Sequence, residues 1–290
     1  MKKTFIFTLL TILTLGLFRP ATSLAEEQKL PSGTDRDKIG QKIQDYVKEH
    51  EKTTAGMATA VFDKEGTIYQ GNFGFMDKEK GLQTDDNSVF EWGSVTKLTV
   101  WVSVMQLYEE GKIDLKEDIR TYLPEGFFKT LRYDKPITML DLMNHQAGFG
   151  ESTHAYKEDI GLTIGEIVAT NQPEQTYEPG TITSYSNFSA GLAGYIVERV
   201  SGQDLSAYIH EHIFQPLGMN DTAMSSDLKD NLKVYKKRME ALSYQADGQT
   251  SIRNVYFQVG LYPAENTVST MGDFQKFGRE IGRASCRERV

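Results

Sequence analysis

Residues 94–110 read SVTKLTVWVSVMQLYEE, and Gly111 follows them. The apolar residues of this stretch recur at helical spacing, and glycine commonly ends a helix because it tolerates the left-handed backbone conformation. The pattern predicts a buried helix from Ser94 to Glu110. Ser94 and Lys97 form an S-x-x-K motif at its start, and residues three positions apart lie on one face of a helix. Lys97 Nζ is therefore expected within reach of Ser94 Oγ.

The S-x-x-K motif supplies a candidate nucleophile and a candidate base. A serine hydroxyl is a weak nucleophile unless a neighbouring group takes its proton, and a lysine amine can do so where its surroundings favour the neutral form. The helix N-terminus would also favour the negative charge that develops on an attacked carbonyl oxygen. An isolated S-x-x-K often arises by chance, with the serine as a helix cap and the lysine in solvent. The motif needs a second element.

A Tyr185-Ser186-Asn187 segment follows some ninety residues later, just before a second apolar stretch that predicts a helix from Ser189 to Ser201. Tyr185 could carry a proton between Ser94 and a leaving group. Asn187 could hydrogen-bond both Lys97 and a substrate amide. The alternative is a tyrosine in a turn and an asparagine that caps the helix, which is a common arrangement.

The rest of the chain predicts a mixed α+β fold. A helix is expected over residues 37–51, and a β-hairpin over 57–69 turns at Asp63-Lys64-Glu65-Gly66. Further helices are predicted over residues 138–144, 163–171 and 205–214. A helix followed by an antiparallel hairpin favours α+β over alternating βαβ units.

Both ends of the chain differ from its middle. Residues 1–25 have two lysines, an apolar run and a Ser23-Leu24-Ala25 cleavage pattern, so we interpret them as the signal peptide of an exported protein; an uncleaved anchor is the alternative. Residues 26–36 are polar and predict a flexible leader. Residues 281–290 read IGRASCRERV and match one reading frame of a common sequencing-library adapter. We interpret these ten residues, which include the single cysteine, as an artefact; a natural basic tail is the alternative.

Charge and composition exclude several function classes. The chain has a net charge of −8, and the signal peptide and the last ten residues carry three and two net positive charges, which leaves −13 for residues 26–280. An acidic domain of this kind is a poor partner for nucleic acid. The histidines form no H-E-x-x-H motif, so we expect no metal and no cofactor. The five are His50, His145, His154, His210 and His212.

The order of the motifs resembles that of the serine β-lactamase and penicillin-binding protein superfamily, most of all the branch with class C β-lactamases, D-alanyl-D-alanine carboxypeptidases and related esterases. The resemblance runs from about Asp37 to Phe277. It rests on residues 90–97, 110–115, 122–124, 137–148, 185–187, 197–202, 216–219 and 263–277. The tyrosine motif in place of an S-D-N element separates the chain from class A enzymes.

The resemblance implies an antiparallel sheet flanked by helices, with a helical subdomain, in a domain over residues 37–280. It implies Ser94, Lys97 and Tyr185 as catalytic residues and Asn187 as a substrate-binding residue. The substrates would be D-Ala-D-Ala-type peptides, β-lactams or esters. A non-catalytic sensor or wall-binding module that recognises penicillin or peptidoglycan is the alternative.

One departure from the superfamily pattern concerns the end of the chain. No K-T-G or H-x-G triplet follows Phe277, although in the superfamily such a strand forms one wall of the site and supplies an oxyanion N–H. We therefore expect the later sheet strands to be missing and the chain as printed to be inactive. Membrane association would be expected only through the missing part.

Overall fold

The computed structural model describes residues 29–151, 161–252 and 260–287, with side chains up to Arg283. The predicted signal peptide at residues 1–25 and His154 lie outside the described residues. The chain divides into two compact units, one up to Lys48 and one from Glu49 onward. The division between the units falls elsewhere than the predicted ends of the leader, residues 26–36, and of the domain, residues 37–280. Both of these stay predictions.

The first unit contains the predicted N-terminal helix. Helix α1 (Ile39–Glu49) follows a 3-10 turn at Arg36–Lys38, which confirms the helix predicted over residues 37–51. A short turn precedes it, in which the Leu30 N–H donates to the Thr34 carbonyl oxygen at 2.8 Å.

The N-terminal hairpin of the second unit forms as predicted. Strands β1 (Gly56–Phe62) and β2 (Thr67–Asp77) are antiparallel, and β3 (Leu82–Gln83) extends the sheet in the order β1-β2-β3. The turn between β1 and β2 is closed by Asp63, whose Oδ1 accepts from the backbone N–H groups of Glu65 and Gly66 at 2.8 and 3.1 Å. An aspartate that binds the backbone two residues ahead is a common way to fix such a turn.

A second small sheet lies next to the S-x-x-K motif in sequence and in space. Strand β4 (Val89–Glu91) ends three residues before Ser94, and β5 is Thr222–Ala223. A separate two-stranded ladder consists of β6 (Ser243–Tyr244) and β7 (Ser251–Ile252). Strand β8 (Val268–Thr270) pairs antiparallel with β4 on one side and β5 on the other. The residues just before β8 are thereby brought beside the motif.

Three of the remaining helices agree with the predictions, two differ from them, and α7 and α8 were not predicted. They are α2 (Lys97–Glu109), α3 (Met139–Met143), α4 (Ile164–Thr170), α5 (Asn187–Ser201), α6 (Leu205–Ile209), α7 (Leu232–Glu240) and α8 (Met271–Arg287). Helices α3 and α4 each begin with a threonine capping box, and Gly202 ends α5 with φ of 73°.

Two predicted helices need correction. The α-helix does not begin at Ser94, because Gly93–Thr96 form a 3-10 turn that the chain enters with Gly93 at φ 53°. The helix predicted over residues 205–214 changes at His210 into a π-helical turn, in which the Gln215 N–H donates to the His210 carbonyl oxygen at 2.8 Å. Hydrophobic spacing does not separate 3-10, α and π turns over so few residues.

The core of the second unit forms around α2 and α5. Buried residues from the two helices pack together with the turn that precedes β8; they include Val100, Val104, Leu107, Leu192, Ile196, Leu261 and Ala264. Gly191 on α5 allows this approach, since a Cβ there would overlap the Leu261 side chain. Among the described residues, no helix combines the length and the apolar character needed to cross a bilayer.

Candidate active site

Ser94 is held by the backbone that precedes β8. The Trp92 N–H donates to the Thr267 carbonyl oxygen at 2.8 Å, and the Thr267 N–H donates to Thr96 Oγ1 at 3.0 Å. The 3-10 turn that carries Ser94 is thus bound on both sides to one residue. Ser94 itself is exposed, while Thr96 is fully buried. These bonds fix the position of the turn, and the turn exposes Ser94 to solvent.

Lys97 is the first residue of α2, and only 3% of it is exposed. Its Nζ donates to Ser94 Oγ at 3.2 Å, to Asn187 Oδ1 at 2.6 Å and to the Ala264 carbonyl oxygen at 2.9 Å. Three acceptors match the three N–H bonds of an ammonium group, and a buried charge requires such partners. The expected contact with Ser94 is present, despite the 3-10 turn.

Tyr185 completes the approach to the serine. Its hydroxyl donates to Ser94 Oγ at 2.8 Å, and its ring centroid lies 4.9 Å from Lys97 Nζ. Half of the residue is exposed. The Tyr185 ring also contacts the His145 ring, with a centroid distance of 4.4 Å and an interplanar angle of 35°. The phenol is therefore in contact with the serine, close to a cation, and open to solvent.

Asn187 is the first residue of α5 rather than its cap. Ser186 is the cap, and its side chain accepts from the Ser189 N–H. Asn187 Oδ1 faces Lys97, while its backbone N–H and its Nδ2 donate to the two carboxylate oxygens of Glu151 at 2.6 and 3.1 Å. The structure thus brings together all four predicted site residues: Ser94, Lys97, Tyr185 and Asn187.

His145 supports the Tyr185 segment. Its backbone has φ of 55°, in the left-handed region, and its Nδ1 accepts from the Ser186 N–H at 3.2 Å. Burial, and then the nearby Lys97 charge, lower the pKa of His145, while the Glu151 charge opposes this. A neutral ring with its proton on Nε2 fits these contacts.

Sequence reasoning missed three groups that complete this site. Glu151 lies 36 residues from Asn187, and no spacing rule links the two. Ala264 contributes a backbone carbonyl oxygen, which leaves no trace in side-chain patterns. Glu265 follows it; burial chiefly raises the pKa of its carboxyl group, against the opposing charge of Lys97.

The described residues hold no cluster of three or more histidine, cysteine, aspartate or glutamate side chains that would suit a metal ion. His212 Nε2 instead lies 3.3 Å from Gln203 Oε1, and its ring packs on Tyr208. These contacts account for His212 as a packed surface residue.

Comparisons with known proteins place this geometry in context. The chain is 25% identical over 245 residues to the putative penicillin-binding protein PbpX of Bacillus subtilis, which covers 83% of this chain and 58% of that protein. It is 25% identical over 276 residues to the teichoic acid D-alanine hydrolase of Staphylococcus aureus, covering 90% of this chain and 66% of that protein. The chain therefore spans less than two thirds of either relative.

Solved structures show the same fold. FmtA from Staphylococcus aureus superimposes with a TM-score of 0.70 at 23% sequence identity, over 90% of this chain and 72% of that one. The predicted fold, helices with antiparallel sheets of the β-lactamase and penicillin-binding protein type, is confirmed. The family model for beta-lactamase matches residues 39–289, and the chain therefore belongs to the beta-lactamase family.

Proposed function

We propose that this chain carries the acyl-transfer site of an exported bacterial serine hydrolase. Ser94 attacks a carbonyl carbon and forms an acyl-enzyme. Tyr185 transfers the serine proton with the help of the Lys97 charge, and Asn187 positions Lys97 and the substrate. The export part of the proposal rests on the signal-peptide pattern of residues 1–25. Family membership supports the hydrolase part.

One observation carries the proposal. Ser94 Oγ lies 2.8 Å from the Tyr185 hydroxyl and 3.2 Å from Lys97 Nζ. A serine that is merely exposed would not be expected to form hydrogen bonds with two side chains, one of them buried. The two bonds therefore support a reactive role for its hydroxyl group. A nucleophile within hydrogen-bond reach of a base that a third group orients is the expected arrangement for covalent catalysis.

With Lys97 as an ammonium group, Tyr185 is the group that receives the serine proton. An ammonium group on Lys97 donates all three N–H bonds to oxygen atoms and leaves no lone pair toward Ser94. A phenolate on Tyr185 would accept the proton, and the Lys97 charge 4.9 Å from its ring would stabilise it.

The proton then has a direct route to the leaving group. As Ser94 Oγ bonds to the carbonyl carbon, its proton passes to the oxygen of Tyr185 in the phenolate form, which becomes a neutral phenol. Half-exposed Tyr185 can return this proton to the leaving nitrogen or oxygen as the acyl bond breaks. In deacylation, water attacks the acyl carbon and gives a proton to Tyr185. Tyr185 returns this proton to Ser94 as the acyl-enzyme bond breaks.

The relatives suggest the substrate class. One is named for penicillin binding and one for hydrolysis of D-alanine from teichoic acid. We propose D-alanyl esters, D-Ala-D-Ala-type peptides or β-lactams as acyl donors in the cell envelope. We favour esters and peptides as the substrates that are hydrolysed efficiently, over β-lactams.

The test is covalent trapping. A fluorescent penicillin and a p-nitrophenyl ester are offered to the chain as printed and to a chain extended past Glu280 from the source locus, and the labelled peptide is identified by mass. We expect label on Ser94 of the extended chain, absent in its Ser94→Ala variant and retained in Ser243→Ala, which changes an exposed serine on β6. The prediction that the printed chain is inactive requires label on the extended chain alone.

Two results would contradict the proposal. Label that persists in Ser94→Ala would exclude Ser94 as the nucleophile. An extended chain that binds peptidoglycan fragments but acylates with neither probe would favour the non-catalytic sensor instead.

A further inference from the structure

We propose that Glu151 is a positioning residue that fixes the side-chain amide of Asn187 and, through it, Lys97. The inference rests on the proposed function, since it assigns Glu151 a part in the same site. Neither the S-x-x-K motif nor the tyrosine motif contains Glu151, which stands in a loop three residues after Gly148.

The contact between Glu151 and Asn187 uses both carboxylate oxygens. Oε1 accepts the Asn187 backbone N–H at 2.6 Å, and Oε2 accepts Nδ2 at 3.1 Å. Two bonds from one carboxylate to one residue fix both the position of the backbone and the rotation of the side chain. Hydrogen bonds to an ionised acceptor are also stronger than neutral ones.

The amide orientation follows from the chemistry of its two neighbours. A carboxylate only accepts hydrogen bonds, so the amide atom that faces Glu151 must be the donor Nδ2. A lysine ammonium only donates, so the atom 2.6 Å from Lys97 Nζ must be the acceptor Oδ1. Glu151 and Lys97 therefore require the same orientation of Asn187 from opposite sides.

Loss of the carboxylate would remove half of this constraint. A glutamine at position 151 can accept one of the two Asn187 donors, but its own amide hydrogens would face the other. Asn187 could then rotate and turn Nδ2 toward Lys97, donor against donor. Lys97 would lose its shortest hydrogen bond, and the placement of its charge near Ser94 and Tyr185 would loosen.

Glu151 also has a structural effect that the test must separate. Its bond to the Asn187 N–H satisfies one of the unpaired donors at the start of α5, a 15-residue helix. A carboxylate at that end is favourable for any helix. Stability alone therefore cannot show that Glu151 positions the site.

A double-mutant cycle separates the two effects. In the extended chain, we expect Glu151→Gln to lower the rate of Ser94 acylation about 10- to 100-fold, with KM little changed, and to cost no further rate in an Asn187→Ala background. A loss of melting temperature should remain in the Asn187→Ala background, since the backbone N–H is still present. Glu125→Gln, an exposed glutamate in another loop, controls for the lost charge.

A second readout needs no catalysis. In ¹⁵N–¹H spectra of the asparagine-labelled chain, the Asn187 side-chain pair is the one that Asn187→Ala removes. We expect Glu151→Gln to shift this pair and Glu125→Gln to leave it in place. An unshifted pair, or a rate loss that is fully additive in the cycle, would overturn the proposal. Failure of the extended chain with an unchanged site to acylate would instead count against the proposed function, while the spectra still test the Glu151 contact.

Discussion

Lys97 Nζ donates a hydrogen bond at 2.9 Å to the backbone carbonyl oxygen of Ala264, 167 residues further along the chain. The contact ties the start of α2 to the turn that precedes β8. That turn is itself packed on α5, where Gly194 leaves room for Pro263. The lysine is therefore held by three separate parts of the chain, and the arrangement depends on how these parts pack.

We expect Thr96→Val to destabilise the protein through the Thr267 N–H. Thr96 is fully buried, and valine has nearly the same shape but no acceptor for this N–H. A buried donor without a partner costs about 1–3 kcal/mol. Urea unfolding should show this loss in Thr96→Val and a smaller one in Thr96→Ser, which keeps the hydroxyl group. Equal losses in the two variants would mean that the missing hydrogen bond is not the cause.

Gly148→Ala should be far more damaging than Gly111→Ala. Both glycines have positive φ, 81° and 70°, which costs an alanine about 1–2 kcal/mol. A Cβ at Gly148 would also overlap the Tyr177 carbonyl oxygen, whereas nothing lies within 4 Å of the corresponding position at Gly111. Overpacking adds about 1–3 kcal/mol or more.

The measurement for this pair is thermal unfolding of both variants beside the wild type. The Gly148 turn also receives the Thr176 and Tyr177 N–H groups at its carbonyl oxygen, at 2.7 and 3.2 Å. Gly148→Ala should therefore disturb the segment that leads to Tyr185. Similar melting temperatures for the two variants would show that the chain relaxes around the added methyl group.

The parts of the site that sequence predicted are those set by short-range geometry. Ser94 and Lys97 are three residues apart, so almost any helical turn brings their side chains together, and the 3-10 turn that replaces the α-helix there does so as well. Asn187 begins α5, whose apolar face is clear in the sequence. The order of the motifs, through the resemblance to the superfamily, then predicted that Tyr185 lies in the same site as Ser94.

The parts that sequence did not predict depend on long-range packing or on backbone atoms. Strands β4 and β8 have three residues each, which is too short for an alternating pattern to be visible. Their pairing is what brings Ala264 and Thr267 to the S-x-x-K turn. Glu151 is a single polar residue in a loop, and its partner is known only once α5 is in place.

Stability should fall as the pH rises from about 4.5 to 7 because of Glu198. Burial chiefly, together with the Asp204 charge, raises the pKa of this carboxyl group to about 7 against the opposing effect of the Leu205 N–H bond. A raised pKa means that the folded state binds the proton more tightly than the unfolded state. Stability is therefore lost as pH rises between the unfolded and folded pKa values, and is constant above.

Glu198→Gln should remove this dependence, since glutamine cannot ionise and can still accept from Leu205. Relative to the wild type, the variant should gain about 1–2 kcal/mol between pH 5 and pH 8, a figure reduced for solvent screening. The His145 pKa is lowered, which makes stability rise with pH, but this effect is common to both proteins. Denaturant unfolding at the two pH values is the measurement. A constant difference between variant and wild type would contradict the assignment.

Tyr185→Phe separates the proton route through the phenol from the rest of the site. Phenylalanine keeps the ring beside His145 and near Lys97 but removes the hydroxyl that donates to Ser94 Oγ. In the extended chain, we expect acylation of Ser94 to slow by about 10²- to 10⁴-fold, the usual contribution of a positioned proton carrier. Stability should change little, because half of the residue is exposed.

The matched control is Tyr108→Phe, which removes the hydroxyl of another exposed tyrosine, on α2. Its acylation rate should equal that of the wild type. If Tyr185→Phe acylates as fast as this control, the proton leaves Ser94 by another route. Lys97 would then have to be a neutral amine, whose two N–H bonds go to Asn187 Oδ1 and the Ala264 carbonyl oxygen while its lone pair accepts the proton of Ser94. A rate that falls in Tyr185→Phe alone would place the proton on the phenol and leave Lys97 as the fixed charge beside it.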